Sequence, residues 1–427
     1  MARCRAVVSM LWATARTFES KMGMQRINRW GKSDVYCGQL TFAKEERGRG
    51  MVQHRQMDDL FRWERGRSEH PYFMWDSIVQ APRLLRECLG GAAAAQAKSV
   101  GERIRDNRIK RIYLLGCGTS RFAAVGIAHA MNSWAGLDAD AYDAFEFAKY
   151  RRVEAGTACM AVALSHSGHT EPVVEAAERA KRMGMLVVSL TEIEDSPLAE
   201  MADMVIVAPG GRDRALPHTR SYLAALLNGY MMAAVAGGRQ DLWNSLQRIP
   251  TLLERIRLEK EGYLKELAVD LSKASWILLA GGGPCASVAS EIALKFMETA
   301  LIPALGLEIE SALRGPLLAA DPDTAVIALS APGPSREKVA AFMNAARLIG
   351  CRVVEVAAGK LVGGRGVGGI MVEAEQIHEC AMPVLLAYPL PILVYWTALA
   401  RRVNPDMSRV GFPGYREALL AVMPSEG

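Results

Sequence analysis

From His70 to Asn404 the chain alternates short apolar runs with longer stretches whose apolar positions recur at helical spacing. Residues 111–115, 139–142, 159–164, 186–190 and 204–207 read as strands; 122–134, the stretch from Pro172 onward (Val173, Val174, Ala177, Ala180) and 220–234 read as helices. Ahead of them, the segment opened by His70 is helical to Cys88, and 99–105 continues helically toward the first strand. Strand and helix in alternation predict a parallel sheet covered by helices on both faces.

The pattern then repeats. Residues 276–280 form a strand, 281–284 a Gly-rich turn and 286–300 a helix, mirroring 111–135 at a constant offset. The strand 325–329, the loop 330–335, a helix to 348 and a strand at 352–356 mirror the stretch around 159–190. This is an internal duplication. The expected fold is therefore α/β, with two tandem α/β/α sandwich domains whose parallel sheets have flavodoxin- or Rossmann-like layers. The expected organisation is a basic, disordered extension over 1–56, a helical lead-in over 57–105, domains at 106–240 and 241–403, and a tail from 404 to 427. Met57 stands as an alternative start.

Two polar loops sit where strands give way to helices. Gly116-Cys117-Gly118-Thr119-Ser120 is a glycine-bounded turn that lets a ligand approach the backbone. Ser165-His166-Ser167-Gly168-His169-Thr170 places three hydroxyls and a glycine before the helix at Pro172. Free backbone N–H groups and the helix dipole converge there, so Ser165, Ser167 and Thr170 can surround an anion such as a phosphate. The plainer reading is that Ser and Thr only cap a helix. The second copy, Ser330-Ala331-Pro332-Gly333-Pro334-Ser335, has prolines that break up the hydroxyl cluster and remove two N–H donors, so one anion site per chain is expected, in the first half.

Composition narrows the class. At 427 residues the chain is comfortable for two domains with real cores. The net charge of +5 is modest and the basic excess falls mostly in the first seventy residues, which leaves the patterned part without a nucleic-acid footprint. Eight cysteines (Cys4, Cys37, Cys88, Cys117, Cys159, Cys285, Cys351, Cys380) show no C-x-x-C pairs and no His partners at ligand spacing. They fit reduced core thiols in a cytoplasmic protein better than disulfides or zinc. The stretch 383–399 comes nearest to a bilayer span, but its length and internal prolines fit a buried core helix. Arg3 and Arg5 before a short apolar patch faintly resemble a targeting peptide, with nothing downstream that fits secretion. No metal, cofactor or membrane partner is expected.

In 291–298 the polar residues Glu291, Lys295 and Glu298 recur at i, i+4 and i+7 and share one helical face. Taken alone, such a stripe is most often a solvated set of ion pairs. At this point the residues carry a resemblance. Gly116-Cys117-Gly118-Thr119-Ser120, the S-x-S-G-x-T loop at 165–170 and the paired halves resemble the sugar isomerase (SIS) domain family. Within it the chain is most similar to the tandem group that includes the isomerase half of glutamine:fructose-6-phosphate aminotransferase, amino-sugar-phosphate deaminases and fructosamine-6-phosphate deglycases. The resemblance covers about 71–404.

The resemblance implies that Thr119, Ser120, Ser165, Ser167 and Thr170 contact a phosphosugar, with His166 where the family often has Gln. The segment 213–222 resembles the family's next loop, bringing in Asp213 and Leu216, and Thr219 is expected to cap the helix that follows. The stripe matches the family's E-x-x-x-K-x-x-E helix. Glu298 then resembles the carboxylate that moves a proton between C1 and C2 of an open-chain sugar. Lys295 would hold that carboxylate ionised or stabilise the enediol oxygen, and Glu291 would organise the helix or reach a substrate amine. Two residues depart from the family: Arg314 stands in place of a ring-opening His, and the tail has no lysine for a Schiff base. The implied activity is carbon–nitrogen cleavage of an amine-bearing ketose or amino-sugar phosphate. The alternatives are aldose–ketose isomerisation without amine chemistry and a non-catalytic sugar-phosphate sensor. The family's use of the Arg314 position in a neighbouring subunit's site implies a homodimer.

Overall fold

The computed structural model describes residues 67–364, 367–407, 409 and 412–422. The expectations for 1–56, Met57, Cys4 and Cys37 lie outside the described residues. Helices α1 (Phe73–Gly90) and α2 (Ala92–Asp106) lead into β1 (Arg111–Gly116), α3 (Thr119–Ala135), β2 (Asp138–Asp143), α4 (Ala144–Lys149) and β3 (Cys159–Leu164). There follow α5 (Glu171–Arg182), β4 (Leu186–Thr191), α6 (Pro197–Met201), β5 (Met204–Val207), α7 (Arg220–Ala236), α8 (Gln240–Leu246) and the long α9 (Ile249–Leu271). The second half runs β6 (Trp276–Gly281), α10 (Cys285–Lys295), β7 (Ala304–Glu308), α11 (Ile309–Leu313), β8 (Thr324–Ser330), α12 (Arg336–Ile349), β9 (Arg352–Ala358) and β10 (Gly368–Val372). It closes with α13 (Met382–Ala387), α14 (Pro389–Ala400) and α15 (Pro413–Val422).

Two five-stranded sheets result, ordered β2-β1-β3-β4-β5 and β10-β9-β8-β6-β7. All pairings are parallel. Taken from its opposite edge, the second sheet repeats the first strand for strand. Trp276 follows Arg111, and Thr324 follows Cys159, by 165 residues. The duplication expected from the sequence is thus a duplication of topology. β7 and β10 are edge strands with few buried apolar positions, which is why neither stands out in the apolar pattern.

The core lies in three layers. One cluster fills the space between the sheets and unites α1, α2, α3, α7, α9, α10, α13 and α14. Separate clusters cover the outer faces, under α5 on the first sheet and under α12 on the second. The stretch Glu379–Ala400 is long and apolar enough to cross a membrane, with mean hydropathy 1.6, but 94% of that window is buried inside the protein. Its α14 packs on α9 in the shared core. The tail contributes Asp406, fully buried, whose carboxylate accepts from the N–H groups of Phe73 (2.9 Å) and Met74 (2.8 Å) and so caps α1.

Two local expectations need correction. Thr219 occupies the cap position of α7, but its backbone is near-helical (φ −113°, ψ −54°) and its hydroxyl is buried without a partner. A capping hydroxyl needs an extended backbone to turn toward the first free N–H groups. The helix expected over 286–300 is α-helical only to Lys295; Phe296–Ala300 is a π turn, ended by Leu301 at φ +55°. Such wide turns occur often at functional sites.

Candidate active site

The hydroxyl loop folds on itself before α5 begins. Ser165 Oγ accepts from the Gly168 N–H at 3.1 Å and lies 2.9 Å from Thr170 Oγ1, while Ser167 Oγ accepts from the His169 N–H at 3.1 Å. Gly168 is required here: its φ is +69°, and a Cβ would stand 2.0 Å from Ser196 Oγ. The loop therefore closes tightly against the turn before α6, and Pro172 in the first turn of α5 fixes the helix start. At the neighbouring strand end, α3 begins at Thr119 so close to β1 that a Cβ on Gly116 would meet the Ser120 carbonyl carbon at 2.7 Å.

These two loops and the start of α7 surround a cavity of about 330 Å³. Thr119, Ser120, Ser165, His166, Ser167 and Thr170 all line it, so six of the nine expected binding residues come together. The wall facing them is supplied by the second half. Leu294 and Glu298 reach the cavity because α10 packs on α3.

The expected stripe on α10 assembles around its lysine. Lys295 Nζ is 2.7 Å from Glu298 Oε2, 3.4 Å from Glu291 Oε1 and donates to Thr119 Oγ1 at 3.0 Å. The Lys295 and Glu291 side chains are 1% and 2% exposed, against 27% for Glu298. This is a buried ion cluster open to the cavity at one end, not a solvated stripe. Burial pushes the Glu291 carboxyl up to about 7; Lys295 opposes that shift and Glu298 adds to it. For Lys295 burial is the largest influence and acts downward, yet the two carboxylates together leave it raised, so it remains an ammonium.

Three expected residues stand apart from the cavity wall. Asp213 is buried beside α7, where its carboxylate accepts from Ser77 Oγ (2.6 Å) and the Arg214 N–H (2.9 Å) and lies 3.5 Å from Arg220 Nε. It organises its loop and does not face the cavity. Leu216 is tied by its N–H to the Asp406 carbonyl at 3.1 Å. Arg314 projects from the surface, 81% exposed, and pairs with Glu310 on α11 at 3.1 Å. A one-turn register match to a family loop cannot tell which residue of that loop turns inward.

The residue that does turn inward is His218. It lines the cavity, its ring 4.3 Å from that of His166, and burial, with His166, Lys295 and Arg220 contributing, pushes its pKa well below the ordinary value. Glu192, directly after β4, is a second unanticipated member, its side chain 4% exposed and 3.2 Å from His166 Nδ1. Glu192 lies at the carboxyl end of β4 and His218 in the loop that leads from β5 into α7, the edge where parallel sheets bind ligands, and that position was the available signal. His169, by contrast, folds back onto the Ser167 carbonyl at 2.8 Å.

The second-half loop is filled by the protein itself. Gly333, which follows Gly168 by 165 residues, has the Glu379 carboxylate packed against it, 2.1 Å from where a Cβ would be. The corresponding position at Gly168 is held by the Ser196 hydroxyl, so a carboxylate stands in the second half where a hydroxyl stands in the first. Among the described residues, no group of three His, Cys, Asp or Glu side chains is placed to hold a metal ion, and the six described cysteines are free.

The sequence model of the SIS domain matches residues 107–235 and 270–354, the two halves just described. Among curated relatives, the isomerizing glutamine–fructose-6-phosphate aminotransferase of Methanothermobacter thermautotrophicus is 28% identical over 357 residues, covering 80% of this chain and 57% of the relative. That of Tropheryma whipplei is 26% identical over 361 residues, covering 79% and 57%. The chain therefore spans little more than half the length of these relatives. In solved structures, the C-terminal domain of glucosamine-fructose-6-phosphate aminotransferase from Francisella tularensis superposes with a TM-score of 0.72 at 18% identity, over 79% of this chain and 99% of that one. Tagatose-6-phosphate ketose/aldose isomerase from Escherichia coli gives 0.66 at 18%, over 78% and 94%. Glucosamine-6-phosphate deaminase from Thermotoga maritima gives 0.62 at 20%, over 79% and 97%. At these identities the structural likeness establishes the fold. With both halves of the duplication matched, the chain belongs to the SIS domain family.

Proposed function

We propose that the chain is an enzyme that cleaves the carbon–nitrogen bond of an amine-bearing ketose phosphate or amino-sugar phosphate, as deglycases and deaminases do. The observation that carries this reading is Glu298, a carboxylate on the wall of a hydroxyl-lined cavity and 2.7 Å from a buried ammonium. In this reading Ser120, Ser165, Ser167 and Thr170, with the free N–H groups at the start of α5, take the phosphate. Glu298 takes a proton from C1 or C2 of the open-chain sugar. Lys295, fixed by Thr119, stabilises the oxygen on which negative charge develops. Glu291, neutral below about pH 7, leaves the lysine's charge to that task.

Asp213 and Leu216 act in this reading by shaping the loop that carries His218. Arg314 enters the cavity of a second copy in a homodimer. The activities of the deaminase and the aminotransferases to which the chain is similar support an amino-sugar phosphate as substrate. The ketose/aldose isomerase supports a second reading, isomerisation without amine chemistry, since the same Glu298 step serves both.

Incubation with glucosamine 6-phosphate and with fructosamine 6-phosphates should release ammonia or amine. Glu298→Gln should lower the rate by about 10²- to 10⁴-fold with little change in binding. Exchange of solvent deuterium at C1 or C2 without amine release would select the isomerase reading. Binding with neither reaction would leave a sensor and sink the catalytic assignment of Glu298.

A further inference from the structure

The two ends of the cavity are chemically unlike. At the β1 and β3 end its wall is made of hydroxyls and helix N-termini, which suit an anion. Around Glu192, which follows β4, it is made of that carboxylate and two imidazoles, His218 just before α7 and His166 reaching across from the loop after β3. Four polar groups at that second end are buried without a hydrogen-bond partner: both oxygens of Glu192, Nδ1 of His166, Nδ1 of His218 and Oγ of Ser221. All four residues line the cavity. Buried polar atoms are nearly always satisfied, and a buried carboxylate with two free oxygens is among the costlier exceptions.

Among the described residues, no donor is aligned to satisfy Glu192. His166 Nε2 accepts from the Asp213 N–H at 3.3 Å, which puts the ring proton on Nδ1, but Nδ1 meets Glu192 Oε1 at 3.2 Å out of line for a hydrogen bond. The Arg220 guanidinium is committed elsewhere. Its Nη1 donates to Gln80 at 3.1 Å and its Nη2 to the carbonyls of Gly210, Gly211 and Arg212, while its Nε lies against Asp213. Among the described residues, no lysine or arginine nitrogen lies within 4 Å of the Glu192 carboxylate. A ligand group that brings both a positive charge and several hydrogens would satisfy the carboxylate, and Ser221 and His218 could accept what remains.

We propose that Glu192, His166, His218 and Ser221 form an amine subsite, in which the substrate's protonated amine donates to the Glu192 carboxylate while its phosphate lies on the hydroxyl loop. The subsite rests on the phosphosugar reading above and sharpens it: the ligand is a molecule with a phosphate at one end and an ammonium toward the other. Sugar phosphates that carry a hydroxyl in place of the amine fit the cavity but lack the charge.

Calorimetric titration of the full chain with glucosamine 6-phosphate, glucose 6-phosphate and inorganic phosphate tests this. The wild type should bind glucosamine 6-phosphate about ten-fold or more tightly than glucose 6-phosphate, the ratio that a charge-assisted hydrogen bond carries. Glu192→Gln, which keeps the shape and removes the charge, should erase that preference and leave glucose 6-phosphate and phosphate affinities within two-fold of the wild type. Unchanged phosphate binding also certifies that the variant is folded. Equal affinity of the wild type for the two sugars, or a preference that survives in Glu192→Gln, overturns the amine subsite and leaves the phosphosugar reading standing. If the wild type binds no phosphosugar, both fall. The wild-type ratio needs no variant, so a misfolded Glu192→Gln would not shield the proposal.

Discussion

Replacing Glu291 with glutamine should make the protein more stable above neutral pH than the wild type, by an amount that depends on pH. Glu291 is fully buried against Lys295, and its pKa in the folded chain is about 7, against an ordinary value of 4.5. The difference is about 2.5 pH units, and at 1.36 kcal/mol per unit the folded state loses about 3 kcal/mol as the group is forced to ionise. The sign follows from where the proton is held more tightly. Because the folded pKa is raised, the contribution is fully present below pH 4.5 and is lost as pH rises through 7. Glutamine, an isostere of the neutral carboxyl, has no such loss. Melting of the two proteins should therefore diverge between pH 5 and pH 8, with the variant ahead by about 6 °C at the upper end, taking roughly 2 °C per kcal/mol for a chain of this size. Infrared difference spectra between the two should show a protonated carboxyl band titrating near 7. A stability gap that is flat from pH 5 to 8, or that closes with rising pH, would refute the reasoning. It would mean that Lys295 outweighs burial and that Glu291 is ionised throughout.

Above about pH 8, where Glu291 is ionised in the wild type, Lys295→Met should destabilise the chain by about 3 kcal/mol, because it strands a buried carboxylate; adding Glu291→Gln in the same chain should recover much of the loss, a coupling read from paired denaturation curves. Gly168→Ala should cost about 1–2 kcal/mol for the left-handed backbone alone, and more from the clash with Ser196. Adding Ser196→Ala should not restore it, since the Ser196 Cβ itself would lie 2.4 Å from the new methyl; melting temperatures of the single and double variants check this. Asp406→Ala removes the cap of α1 and should lower stability by about 1–2 kcal/mol, measurable by urea unfolding, with faster amide exchange at Phe73 and Met74 as the local sign.

Much of the candidate site was legible because its parts are local. The hydroxyl loop is a contiguous hexapeptide at a strand–helix junction, and the apolar period on either side fixes which end of the helix it meets. Glu291, Lys295 and Glu298 are within two helical turns of one another, so spacing alone places them on one face. What spacing could not show is the state of that face. The same stripe on a surface helix would be solvated, whereas here α10 is covered by α3, and Thr119 of the first half meets Lys295 of the second. His218 and Glu192 were missed for a related reason: each lies in a loop after a strand, where no periodicity tells an inward residue from an outward one. The π turn that carries Glu298 left no mark in the apolar pattern either.

By itself the sequence determined the duplicated α/β pattern and the position of the hydroxyl loop at a strand–helix junction. These follow from hydrophobic period, glycine and proline, whose effects reach over a few residues. Tertiary structure decided which half lends what to the cavity, that a carboxylate and two imidazoles close its far end, and that Glu379 covers the twin loop at Gly333. It also made Asp406 the cap of α1, more than 330 residues away in the chain. Such contacts depend on two sheets burying one shared helical layer between them, and the burial that shifts Glu291 and His218 exists only once that layer has formed.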